Sequence, residues 1–283
     1  MQNPVVDMRG YGTYNQPPGT WSDDTSMALC LLDSLKNGID YNDIMQKFLL
    51  WMNDAEYTPH GKVFDIGIAT SNALFRFANG TKPLMCGGTS EYDNGNGSLM
   101  RILPLVFYLT SLYGNDFTDN EEAFDMIHKV SSLTHAHKRS QIACGLYLSI
   151  AERLIAGDEI KNAIHSGLHK AKEFYLSKTD YTEELKHYRR IYDDGFGDLL
   201  QDKIKSSGYV VDTLEAAIWC LLNTDNYENC VLKAVNLGDD TDTVAAVSGG
   251  LAGIYYGFNA IPLKWVNQIA RIDYIKSLCE VLQ

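Results

Sequence analysis

Two short segments concentrate carboxylates and hydroxyls in a pattern suited to binding a hard cation. In Gly238-Asp239-Asp240-Thr241-Asp242-Thr243, three aspartates fall within four residues and lead directly into the apolar stretch Val244-Ala245-Ala246-Val247-Ser248-Gly249-Gly250. Carboxylates this close repel one another and have their pKa values raised unless a cation neutralises them, and such oxygen ligands suit magnesium, manganese or calcium. Ser22-Asp23-Asp24-Thr25 follows the turn-forming Pro17-Pro18-Gly19 and opens a second apolar helix. Capping alone explains this segment, because serine is a favoured N-cap and acids in the first turn complement the helix dipole. The other segment carries more charge than capping needs.

A third segment, Tyr92-Asp93-Asn94-Gly95-Asn96-Gly97-Ser98-Leu99-Met100-Arg101, is a glycine-rich loop running into an apolar helix. Free amides at such a junction cradle phosphate, although Asn-Gly is also an ordinary turn signal. The spacing is neither a Walker loop nor a dinucleotide fingerprint. His135 and His137, two residues apart in Leu133-Thr134-His135-Ala136-His137, do not fit a two-histidine zinc helix and read equally as a capped helix start or a ligand contact. Asp65 lies among apolar residues in Phe64-Asp65-Ile66-Gly67, where a carboxylate needs a partner or a function.

The elements that must position these groups are helices. Apolar residues recur at helical spacing, as with Met27, Leu31, Leu32 and Leu35, or Ile142, Leu146, Ile150 and Leu154, and strand alternation is scarce. The periodicity predicts helices near 23–36, 41–53, 63–78, 97–112, 119–132, 138–156, 158–176, 182–191, 210–223, 227–236, 241–257 and 262–280. That is an all-α fold, read as one compact domain over residues 1–283. The small residues from Ala245 to Gly257 mark a tightly packed central helix, because glycine is costly in a helix unless backbones approach closely. Residues 178–209 read as polar surface, and Lys186, Tyr188, Arg189 and Arg190 as a solvated face. Trp21, Trp51, Trp219 and Trp265 read as packing aromatics.

Composition narrows the partners. With 24 Lys and Arg against 36 Asp and Glu the net charge is −12, and no basic stripe suggests general nucleic-acid binding. Six scattered cysteines show neither zinc spacing nor a C-x-x-C pair and read as reduced core residues. No apolar run spans a bilayer and the N-terminus lacks a signal core, so a cytoplasmic location without membrane contact is expected.

In their order along the chain these segments resemble the ADP-ribosylglycohydrolase family: Gly19-Thr20-Trp21-Ser22-Asp23-Asp24-Thr25, then Asp65-Ile66-Gly67, Gly95-Asn96-Gly97-Ser98-Leu99-Met100-Arg101, Leu133-Thr134-His135-Ala136-His137, and Gly238 to Thr243. The likeness runs from about Met8 to Trp265 and includes Ser207 to Ala217. It implies a compact multi-helix domain with a binuclear magnesium site at helix N-termini, manganese being an alternative, held by Ser22, Asp23, Asp24, Asp240, Asp242 and Thr243. It also implies that Asp93, Asn94, Gly95, Asn96, Gly97, Ser98 and His135 lie against ADP-ribose, that Asp65 sits near the ribose carbon that is cleaved, and that Gly67 allows close approach of the ligand. Two features differ from the family pattern. Asp239 stands where many members have glycine, and the N-terminal helix with a G-D-x-x-G pattern has no counterpart in this sequence.

The expected activity is magnesium-dependent hydrolysis of an N- or O-glycosidic bond linking ADP-ribose to an acceptor, with Asp24 or Asp65 as general base for a water that the cations acidify. The alternatives are a two-metal phosphohydrolase and a non-catalytic relative that binds ADP-ribose.

Overall fold

The computed structural model describes residues 4–280. These form thirteen α-helices: α1 (Asp23–Leu35), α2 (Tyr41–Asp54), α3 (Ile68–Ala78), α4 (Pro104–Tyr113), α5 (Glu121–Ser132), α6 (Lys138–Ile155), α7 (Ile160–Leu176), α8 (Thr179–Leu185), α9 (Val210–Leu222), α10 (Tyr227–Val235), α11 (Thr241–Tyr256), α12 (Leu263–Val266) and α13 (Ile272–Cys279). Short 3-10 turns join several of them. There is no sheet among the described residues, only isolated bridges of Gly88 to His135 and Gly95 to Tyr209. No described helix is long and apolar enough to cross a membrane.

The central helix is α6, not the small-residue helix α11. Every residue of α6 from Arg139 to Ala151 is buried, and it packs against α5, α7, α8, α9 and α11. His137 caps its start by accepting from the Arg139 amide at 3.2 Å. Gly157, at a φ of 91°, ends it in the left-handed conformation that glycine adopts most cheaply. Helix α11 is buried on one side only, through Thr243, Val244, Val247, Ser248, Leu251 and Ala252. Close approach does occur at Gly250, where a Cβ would fall 2.6 Å from the Tyr147 hydroxyl. Gly249 and Gly253 instead help line a partly open apolar groove.

The helix predicted near 182–191 is instead α8 at Thr179–Leu185 followed by a 3-10 stretch at Lys186–Tyr192, and three further boundaries move, each for a local reason. Helix α3 begins at Ile68 and not at 63, because Asp65 takes a φ of 55°, outside the helical region. Residues 97–103 are not α-helical: a 3-10 turn at Asn96–Ser98 leads into further turns, the buried Arg101 guanidinium occupies the Gly97 carbonyl, the acceptor an α-helix starting there would offer to the Arg101 amide, and Pro104 then opens α4. The span 262–280 divides at Arg271, with a φ of 48°, where the turn lies so close to Gly19 that a Cβ there would overlap the Gln268 carbonyl. The 178–209 stretch is less of a surface than its polarity suggests. Tyr188 is fully buried and donates to the Arg139 carbonyl, and Arg190 pairs with the buried Glu215 at 2.9 Å. All four tryptophans and five of the six cysteines are buried; Cys279 is exposed.

Helices α6 and α7 touch at Gly167, where a Cβ would lie 2.6 Å from the Ser149 carbonyl oxygen and 2.8 Å from the Ile150 nitrogen. Backbone cannot yield as a side chain can. Gly167→Ala therefore forces the helices apart and should cost about 1–3 kcal/mol, read as a lower urea midpoint and melting temperature. An unchanged midpoint would contradict this packing.

Candidate metal and active site

The two acidic segments occupy the N-terminal ends of α1 and α11, and these helices pack against each other. Both N-cap residues decline the role that capping assigns them. Neither the Ser22 nor the Asp240 side chain accepts a hydrogen bond from its own helix's first turn. Ser22 Oγ instead donates to Asp24 Oδ2 at 2.6 Å, and Asp240 Oδ2 accepts from Asn96 Nδ2 at 2.7 Å. Asp23, Asp24 and Thr243 are buried, Asp240 is half-buried and Asp242 is exposed.

Burial and mutual repulsion raise the pKa of every one of these carboxyls. For Asp23 the causes are desolvation, then Asp24, Asp65 and Asp242. For Asp24 they are desolvation and Asp242, opposed by the bond from Ser22. Desolvation also leads for Asp240 and Asp242, reinforced by Asp242 in the first case and Asp65 in the second. These couplings establish that segments more than 200 residues apart in the chain share one electrostatic site.

The donor set fits a hard divalent cation. It consists of carboxylates and hydroxyls, and Asp24 Oδ1 is buried without a hydrogen-bond partner among the described residues. No group of three or more Asp, Glu, His or Cys side chains there already forms a metal-ligating cluster. Carboxylates that repel do not close on one another unaided, and part of this set is hydroxyl oxygen.

The glycine-rich loop is stitched to the second acidic segment. The Asn96 amide donates to the Gly208 carbonyl and the Val210 amide to the Asn94 carbonyl, both at 3.0 Å. The Asp240 amide donates to the Ser206 carbonyl, also at 3.0 Å. Asn96 Nδ2 reaches both Asp240 and Thr213 Oγ1, the latter at 2.9 Å. Other side chains of the loop are engaged by the protein itself. Asp93 Oδ2 accepts from the Ser90 amide in a capping box, Asn94 Oδ1 accepts from Ser140 Oγ at 3.1 Å, and Ser98 Oγ accepts from Ser131 Oγ at 3.0 Å. His135 is buried under the loop, its ring within 3 Å of where a Gly97 Cβ would stand, and desolvation pushes its pKa down to about 3. The half-exposed backbone at Gly95 and Gly97 is what the loop leaves accessible.

Asp65 faces the helix ends from the connection between α2 and α3, its charge acting on Asp23 and Asp242. Gly67 is exposed, and a Cβ there would meet only Thr70 Oγ1 at 3.9 Å, so packing within the chain does not require glycine. Three residues at or beneath the site had no role in the sequence reading. Arg101 holds the Gly97 and Val130 carbonyls from a fully buried position. Its signal was available, a charge flanked by apolar residues, as at Asp65. Thr213 and Tyr14 gave no such signal, because their partners are remote in the chain.

Asp239 adopts a φ of 57°, the left-handed region where glycine is unstrained. Asp239→Gly should leave stability unchanged or raise it by up to about 1 kcal/mol, measured by urea denaturation; a clear loss would mean that the carboxylate has a structural partner. Asp24→Asn should stabilise the protein in chelator at neutral pH by on the order of 1 kcal/mol, because it removes a desolvated charge. The sign follows from linkage: a carboxyl whose folded pKa is raised penalises folding increasingly as pH climbs above its unfolded value of about 3.9, so the gain vanishes below that pH. Denaturation of both proteins at pH 4 and pH 8 checks it.

The family model for ADP-ribosylglycohydrolase matches residues 2–283. The ADP-ribosylarginine hydrolase Tri1 of Serratia proteamaculans is 33% identical, with 98% of this chain and 71% of that protein aligned. The ADP-ribosyl-(dinitrogen reductase) glycohydrolase of Rhodospirillum rubrum is 28% identical, over 93% of this chain and 78% of its own length. A solved structure described as an ADP-ribosylglycohydrolase-related protein complex superposes with a TM-score of 0.79 at 30% identity, covering 99% of this chain and 87% of the other. With its motifs gathered at one site and the likeness running end to end, the chain belongs to the ADP-ribosylglycohydrolase family of enzymes.

Proposed function

We propose that this protein hydrolyses the N-glycosidic bond between ADP-ribose and an arginine side chain, using two magnesium ions, or manganese, held by Ser22, Asp23, Asp24, Asp240, Asp242 and Thr243. One observation carries the metal reading. Two helix ends loaded with aspartate face each other, their N-cap side chains are withheld from capping, and a buried carboxylate oxygen of Asp24 has no hydrogen-bond partner among the described residues. The arginine linkage is favoured by relatives from Serratia proteamaculans and Pseudomonas putida, both named ADP-ribosylarginine hydrolases.

When bound, the cations supply positive charge and Lewis acidity toward the ribose oxygens and the water. The chain's own groups do the rest. The Gly95 and Gly97 amides cradle the diphosphate, the Asn96 amide between them being bonded to Gly208, and Gly67 leaves room for the ribose. Asp65 is the better-placed general base, because Asp24 is 3% exposed and lies among the cation ligands. One oxygen of Asp65 takes a proton from water as the water oxygen bonds to the anomeric carbon; the carbon–nitrogen bond breaks with its electron pair going to nitrogen, and the same proton completes the departing guanidine.

Incubation with an ADP-ribosylated arginine peptide should release ADP-ribose with magnesium and not with chelator. The Asp23→Ala, Asp24→Ala double variant should lose at least about a hundredfold in kcat/KM and the heat of magnesium binding in calorimetry. Free phosphate as product would instead favour phosphoryl chemistry, and tight ADP-ribose binding without turnover a non-catalytic role.

A further inference from the structure

Asp65 has little to hold it where the reaction needs it. It faces the acidic helix ends, and while these hold no cation like charge pushes it away from Asp23 and Asp242. Its backbone is in the left-handed region at a φ of 55°, in a connection where Ala55, Tyr57 and Gly61 also have positive φ. This connection is tied to the segment preceding α1 at two further points: Thr20 Oγ1 meets His60 Nε2 at 3.0 Å, and Trp21 Nε1 donates to the Tyr57 carbonyl at 3.1 Å. Neither reaches the Asp65 end.

Tyr14 does. Its hydroxyl donates to Asp65 Oδ1 at 2.5 Å, the sole side-chain donor to that carboxylate among the described residues, and its ring lies against Phe64 with centroids 5.5 Å apart. A hydrogen bond to a charged acceptor at this length is of the strong class. The partners are 51 residues apart, so the bond joins two loops and serves no helix. Tyr14 is 46% exposed, which puts it at the mouth of the site and not in the core.

From this geometry we infer that Tyr14 is a positioning residue for the hydrolysis: its hydroxyl holds Asp65 by Oδ1 beside the acidic helix ends, leaving Oδ2 to take the proton of the attacking water. The inference rests on the reading of Asp65 as general base. It gives the exposed tyrosine a task that packing does not, since losing the hydroxyl while keeping the ring removes the bond alone.

Wild type, Tyr14→Phe, Asp65→Asn and the double variant, assayed with saturating magnesium on the ADP-ribosylated arginine peptide, test it. Tyr14→Phe should lower kcat by about 10- to 100-fold with KM within about threefold and an unchanged melting temperature. The double variant should be no slower than Asp65→Asn. If Asp65→Asn is impaired while Tyr14→Phe keeps wild-type kcat, Tyr14 does not position Asp65 and the inference fails alone. Additive losses in the double variant overturn it as well. Wild-type turnover by Asp65→Asn overturns the general-base reading, and the inference with it.

Discussion

Two helix N-termini loaded with aspartate and turned toward each other are the constraint around which this protein is arranged. Carboxylates at a helix start are individually favourable, because the unpaired amides and the dipole present positive potential there. Brought together and, at Asp23 and Asp24, largely removed from water, the same groups repel, and each carboxyl resists ionisation. The remaining design answers that conflict. Ser22 donates to Asp24, and Asn96 donates to Asp240 from a different segment, each bond stabilising a charge that burial disfavours. A cation would complete what these donors begin.

Rigidity comes from behind the site. The buried α6 and α9 form a base on which the glycine loop, the 206–210 segment and the start of α11 are fastened by a handful of backbone bonds. Asn96 is the hub, because its amide group bridges Thr213 at the start of α9 and Asp240 at the start of α11. Arg101 supports the loop from below by donating to the Gly97 carbonyl in the loop and the Val130 carbonyl in α5. Its own burial lowers its pKa to about 10, so the guanidinium remains charged at neutral pH.

Two of the seven non-glycine residues with positive φ among the described residues lie at the rim. Asp65 and Asp239 both hold a left-handed backbone conformation that is unfavourable for a residue with a side chain, and both adjoin the acidic helix ends. At Asp239 glycine would serve the backbone equally well. At Asp65 the side chain is engaged by Tyr14 and faces the carboxylates, so there the strained conformation accompanies a specific carboxylate placement.

The sequence by itself determined the helical character and most helix limits, because apolar periodicity and punctuation by glycine and proline are local properties. It also marked Asp239, Asp240 and Asp242 as more carboxylate than capping requires, and the order of the motifs pointed to the family and brought Asp23 and Asp24 into the same reading. What it left open depends on contacts between distant segments. Whether Ser22 and Asp240 cap their helices, whether Asn94, Ser98 and His135 turn inward, and which helix is central are settled by side chains competing for partners across the fold. The bonds from Asn96 to Asp240 and from Tyr14 to Asp65 span 144 and 51 residues. No periodicity or local spacing encodes such a pair; only the packed helices bring its members within reach.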